Sequence, residues 1–224
     1  FARIAANEML RLSLEEDKDD PREMVRRYLC LSLFLDGYVD NAPRRGLLAD
    51  SLEGIDRKLL IPAIQRMLTA EDGLSRSQLA SVYRALSDGE IDQIWPDILR
   101  AAEMQAPSGE MFSDGIRLAS LALLAKHHIT EGMGVCLEYG KGQNPWDSQD
   151  RMWEIMKALK SYGAAAKPLL PELRELATYC RNERDFPDDC KRKKTAAVED
   201  AIKAIGEAKD QPQLRSIARL LQKK

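Results

Sequence analysis

Histidine and aromatic residues are scarce in this chain: its 224 residues include two histidines, and Phe, Trp and Tyr together make up 6%. Two histidines leave little material for a zinc or iron site, which draws several His, Cys, Asp or Glu ligands together. A dominant charge is missing as well, since 34 Lys and Arg stand against 36 Asp and Glu for a formal charge of −2. No global field attracts polyanions, so nucleic acid is not an expected partner. No run approaches the ~18 apolar residues of a membrane helix, and no basic start followed by an apolar stretch marks a signal peptide. A soluble chain without membrane insertion is expected. The Gly-x-Ser-x-Gly elbow, the P-loop and the dinucleotide fingerprint are all absent, which leaves no expected catalytic residue and no expected cofactor.

What is present leans helical. Leu, Ala, Lys, Arg and Glu recur throughout, side chains that lose little rotamer freedom in a helix. A repeat is visible: Ser51-Leu52-Glu53-Gly54 leads to Pro62, and Ala85-Leu86-Ser87-Asp88-Gly89 leads to Pro96, each proline eleven residues after its anchor. Ala122-Leu123, Ala158-Leu159 and Ala201-Ile202 continue the series at intervals of 34, 37, 36 and 43 residues. That period suits one helical hairpin per unit. The pattern predicts twelve helices in six pairs: 2–16 with 21–35, 44–53 with 56–70, 76–87 with 90–105, 113–127 with 130–139, 149–162 with 166–180, and 192–208 with 212–222. Pro21 and the Ser75/Gln78 capping box mark helix starts, whereas Gly54, Gly89, Gly163 and Gly206 mark turns. Pro62, Pro96 and Pro171 are expected to kink or start the second helix of their pairs.

These phrases resemble HEAT-like repeats over about residues 44–222. The resemblance implies an all-α fold, an α-solenoid of about six stacked antiparallel hairpins of ARM type, in a single domain over residues 1–224. The stretches Ala106-Pro107-Ser108-Gly109-Glu110-Met111-Phe112 and Tyr162-Gly163-Ala164-Ala165-Ala166-Lys167-Pro168 are also similar to an uncharacterised bacterial family of exported repeat proteins. That likeness implies no established activity and favours a periplasmic or secreted address. Opening at Phe1, the chain is expected to be a piece of a longer protein. Some HEAT-like enzymes bind two irons through His-Glu dipeptides, and this sequence has no such dipeptide.

Candidate chemistry is sparse. His127, His128 and Glu131 form the one cluster with metal-ligand side chains, and their place at a helix end favours a dipole-capping pair over a metal site. Cys30 and Cys136 lie among apolar neighbours and read as core. Cys180 and Cys190 flank a polar connection, which leaves two readings open, a disulfide staple or two thiols. The run Lys191-Arg192-Lys193-Lys194 reads as a solvated face. Connections between pairs carry Tyr38, Met111, Phe112, Trp146 and Phe186, bulky groups of the kind that anchor interfaces. These five are the expected binding residues if they stand outward, and caps over hairpin ends if they fold inward. The sequence as a whole points to a non-catalytic scaffold for a protein or peptide partner. An accessory or regulatory domain of a larger exported enzyme is the alternative, and a nucleic-acid clamp the third reading.

Overall fold

The computed structural model describes residues 7, 8, 11, 56–69, 83, 86–104, 110–143 and 151–222. The helices expected at 2–16, 21–35, 44–53 and 76–87 lie largely or wholly outside these, as do Pro21, Ser75, Gln78, Gly54 and Cys30. Among the described residues every named element is helical, and the one extended pairing is an isolated bridge, so the fold is all-α. No described helix is long and apolar enough to cross a membrane. The chain divides into two compact units, Phe1–Ala119 and Ser120–Lys224.

In the first unit, α1 (Arg57–Leu68) packs on α3 (Trp95–Glu103), with the single turn α2 (Asp88–Ile91) before it. One helix was expected over 90–105. Pro96 explains the break: it has no N–H to give to the carbonyl four residues back, so the earlier turn does not run on and α3 starts afresh at Trp95 with the proline in its first turn. Trp95, Ile98, Ala101 and Ala102 form the buried stripe of α3, and the indole of Trp95 donates to Asp92 at 2.8 Å. Pro62 is instead inside α1. Arg57 grips Glu90 through two hydrogen bonds of 2.6 Å, and the same carboxylate accepts the N–H of Ser87 at 2.9 Å.

α4 (Glu110–Lys126) leads into the second unit, followed by α5 (Glu131–Lys141), α6 (Arg151–Lys160), a 3-10 segment (Gly163–Leu169), α7 (Leu170–Asn182), α8 (Asp188–Glu207) and α9 (Ile217–Leu221). α5 and α8 each touch both α6 and α7, and the largest interface is α7 on α8. Pro168 and Pro171, with no N–H to give, account for the 3-10 opening where a plain helix over 166–180 was expected. Gly163 turns the chain with φ +52, as its place between partner helices required. Gly89 and Gly206, also expected at turns, lie within helices.

α4 ends without a glycine. His128 takes the left-handed position with φ 51, its N–H bonding to Ala125 O at 3.0 Å while Ile129 N bonds to Leu124 O at 2.9 Å. These are the two bonds of a Schellman motif. The helix expected over 212–222 is mostly extended: residues 208–216 run back across the unit, and only Ile217–Leu221 is helical. Arg215 explains this, because its backbone pairs with His128 O at 3.0 Å and Thr130 N at 2.9 Å, bonds a helix there would forgo.

Two glycines on α5 give a paired test. A Cβ on Gly132 would press on the Tyr162 hydroxyl and lie 2.9 Å from Leu124 Cβ, whereas one on Gly134 would meet nothing within 4 Å. Gly132→Ala should cost about 1–3 kcal/mol by overpacking. Gly134→Ala should add about 0.5–1 kcal/mol by helix propensity. Urea unfolding of both variants checks the opposite signs.

The first unit has an acid-sensitive link. Hydrogen bonding from Arg57, the largest cause, outweighs burial and holds the Glu90 carboxyl down at about 2 from 4.5. A depressed carboxylate stabilises the fold above its unfolded value, and that contribution fades as pH falls from about 4.5 toward 2. Glu90→Gln should therefore lower the melting temperature at pH 7 and flatten its fall across this acid range. Equal pH slopes for the two proteins would show that the pair contributes nothing to acid unfolding.

Candidate functional site

The expected anchors divide by position. Tyr38 and Trp146 lie outside the described residues. Met111 and Phe112 were expected in a connection, yet both belong to the first turn of α4, which begins at Glu110. Phe186 does lie in the α7–α8 connection, but only 4% of it is exposed. Its ring meets Tyr179 edge-on with centroids 5.9 Å apart, and the ammonium of Lys194 stands 5.5 Å above it. Phe186 therefore closes the joint between two helices, the capping role that competed with binding.

Tyr179 is the aromatic residue left accessible there, 43% exposed on α7. Burial, and then hydrogen bonding to Glu183, raises its phenol above the ordinary value, so it remains a neutral group with a polar tip. Arg174, Glu175, Thr178, Asn182, Glu183 and Arg184 join it around an open hollow of about 720 Å³. A second hollow of about 340 Å³ shares Arg174 and Thr178 and extends to Glu199, Ile202 and Lys203 on α8. The ion pair between Arg181 and Glu199 ties the two helices together beside it. The α7 ridge thus offers one ring, an aliphatic edge and charges of both signs on a helix firmly packed against α8. Spacing places Arg174, Thr178 and Arg181 three to four residues apart on one helical face, with Glu175, Tyr179 and Asn182 beside it. A search confined to loop aromatics overlooks that pattern.

The cysteines are not a site. Cys180 and Cys190 lie buried on α7 and α8, and the bridge offered as one reading is not formed. Both thiols belong to packed helix faces, not to a solvent-facing staple across the polar connection. Burial pushes the Cys180 thiol up to about 11; the Lys194 ammonium opposes this and Cys190 adds to it. Cys136 is driven up to about 12 by burial alone. Such thiols hold little thiolate near neutrality and are poor nucleophiles.

The basic run dissolves in the same way. Lys194 is fully buried, while Arg192 and Lys193 both pair with Asp189, the latter at 3.2 Å. The histidines form no metal centre either: His128 makes an edge contact with Tyr162, and Glu131 accepts hydrogen bonds from Ser216 Oγ at 2.9 Å and Ile217 N at 3.0 Å. Among the described residues no group of three or more His, Cys, Asp or Glu is placed to hold a metal ion.

Thiol reactivity tests this arrangement. Iodoacetamide at pH 8 should leave Cys136, Cys180 and Cys190 unmodified in the native protein and label all three once urea unfolds it, as read by peptide mass spectrometry. Rapid native labelling of Cys180 or Cys190 would mean that the α7–α8 joint is open.

Comparison of the chain with protein-family models, with curated proteins and with solved structures gives no match in any of the three, so the surface must be read from its own chemistry.

Proposed function

We propose that this chain is a non-catalytic interaction scaffold built from HEAT-like helical hairpins, and that the α7 ridge around Tyr179 receives a protein or peptide partner. The observation that carries the reading is Tyr179 itself, exposed on a packed helix beside a hollow of about 720 Å³ with charged groups of both signs at its margin. Tyrosine gives large contact area for two side-chain torsions, and a preformed helix loses little freedom on binding. Mixed charge suits a polypeptide segment better than a uniformly charged polymer. The stacked-pair reading draws support from α5 and α8, each of which touches both members of the α6–α7 pair, the neighbour-to-neighbour pattern of repeat proteins.

Function is tested by placing a photo-crosslinking amino acid at Thr178, at the edge of both hollows, and identifying the covalently trapped polypeptide in the native cell. With that partner purified, Tyr179→Ala and Arg184→Ala should each weaken binding by about tenfold or more, the penalty typical of an interface anchor. Both melting temperatures should stay close to the parent's, because neither side chain is in the core. Undiminished affinity in both variants would remove the ridge from the interface, and a steep loss of stability would return Tyr179 to a structural role.

A further inference from the structure

The C-terminal segment crosses two turns of the second unit and is fastened to both. At one end, Asp210 O accepts the N–H of Ala164 at 2.8 Å, directly after the left-handed Gly163. A Cβ on Gly163 would lie 2.7 Å from that same carbonyl oxygen, so the segment fits against a backbone with no side chain. At the other end, Arg215 O accepts from Thr130 N at 2.9 Å and Arg215 N donates to His128 O at 3.0 Å. Just beyond, Glu131 Oε1 accepts Ser216 Oγ at 2.9 Å and Ile217 N at 3.0 Å.

The middle of the segment faces mostly solvent. Lys209, Asp210, Gln211, Gln213 and Leu214 are all exposed, and Ile217 is the first residue after Ile205 to be buried. Attachment is therefore mainly polar and concentrated at its two ends, with little apolar area to hold the middle down. Such a segment detaches at far lower cost than the α7–α8 core, whose opening would expose Leu176, Cys180, Val198 and Ala201.

We propose that residues 208–217 are a latch that opens and closes as one unit, with Glu131 as its catch. The unit is cooperative because its fastenings share one short extended backbone: Ser216 and Ile217 on Glu131 directly adjoin Arg215, whose carbonyl also accepts the Thr130 hydroxyl at 3.3 Å, so these contacts are made and broken together. Opening frees the N–H of Thr130, the N–H of Ala164 and the carbonyl of His128 on one edge of the unit, groups that take up an extended backbone when one is offered. This inference is independent of the α7 ridge and stands or falls separately from it.

Amide hydrogen exchange of the intact chain, followed residue by residue by NMR where reclosing outpaces exchange, tests it. Thr130, Ala164, Arg215 and Ile217 come from three separate stretches of sequence, and the latch predicts one common opening constant for all four amides, well above that of Leu176 and Ala201. Glu131→Ala should accelerate the four together by about 10- to 100-fold, since it removes two hydrogen bonds to a carboxylate, and should leave Leu176 and Ala201 unchanged. Glu131→Gln keeps an acceptor oxygen and should restore most of the protection. If Glu131→Ala does not fold, Ser216→Ala should raise the same four rates by a smaller common factor. Acceleration at Thr130 and Ile217 without Ala164 would overturn the latch in favour of fraying from one end. Equal acceleration of the core amides would overturn it in favour of a purely structural role for Glu131.

Discussion

The second unit depends on satisfying the backbone of one turn. Residues 127–130 end α4 and begin α5 around the buried Ile129, and each N–H or C=O left unpaired beside it would cost up to about as much as a lost hydrogen bond. Each accessible solution recruits a different part of the chain. The N–H groups of His128 and Ile129 turn back onto α4, the carbonyl of Ile129 accepts the Tyr162 hydroxyl at 2.8 Å, and Arg215 supplies the remaining pair for His128 and Thr130. Tyr162 is fully buried to reach that carbonyl, and burial, foremost among the causes, drives its phenol well above the ordinary value, so it acts as a permanent donor. Gly132 then has to be a glycine because the hydroxyl occupies the space its Cβ would fill. A backbone requirement of four residues thereby sets the position of a tyrosine more than thirty residues on and of a segment near the chain's end.

A second constraint operates at the α7–α8 joint, where charge has been drawn inside. Lys194 is completely buried, a placement that is expensive unless the ammonium finds compensating electron density. The face of Phe186 gives part of it at 5.5 Å, a contact worth about 2 kcal/mol when desolvated. Phe186 cannot serve both as that platform and as an outward anchor. The same packing keeps the neighbouring Cys180 thiol protonated, so the joint that holds it is chemically quiet.

How much of this could be read from sequence follows the range of the interaction involved. Proline effects are local, and Pro96 and Pro171 do stand in the first turns of their helices as their phrases suggested. Gly163 is local too, and it turns left-handed. His128 occupies the corresponding position at the end of α4 without being a glycine, and the turn expected between 127 and 130 forms there all the same. The segment at 212–222 carries a helical composition, yet its conformation is decided by Thr130 and Glu131, more than eighty residues away. Phe186 was ambiguous for a different reason, because its direction goes with Lys194, a lysine that no spacing rule marks as buried. Of the expected anchors, Met111 and Phe112 were misplaced by a boundary: the run after Gly109 begins a helix instead of extending a loop.

The location of the α7 ridge follows from where apolar groups go when connections are short. A loop aromatic beside the open end of a helix pair has an apolar surface within reach and gains more by covering it than by facing water, as Phe186 does. An aromatic on the outward face of a helix has no such option, because the backbone fixes its direction and the helix is already committed to its partner. Tyr179 meets Phe186 at one edge and Glu183 at its hydroxyl, and 43% of it stays in solvent. Accessible bulky groups on packed helices are therefore better sought on helix faces left over after packing than in the connections, where bulk alone says more about closure than about recognition.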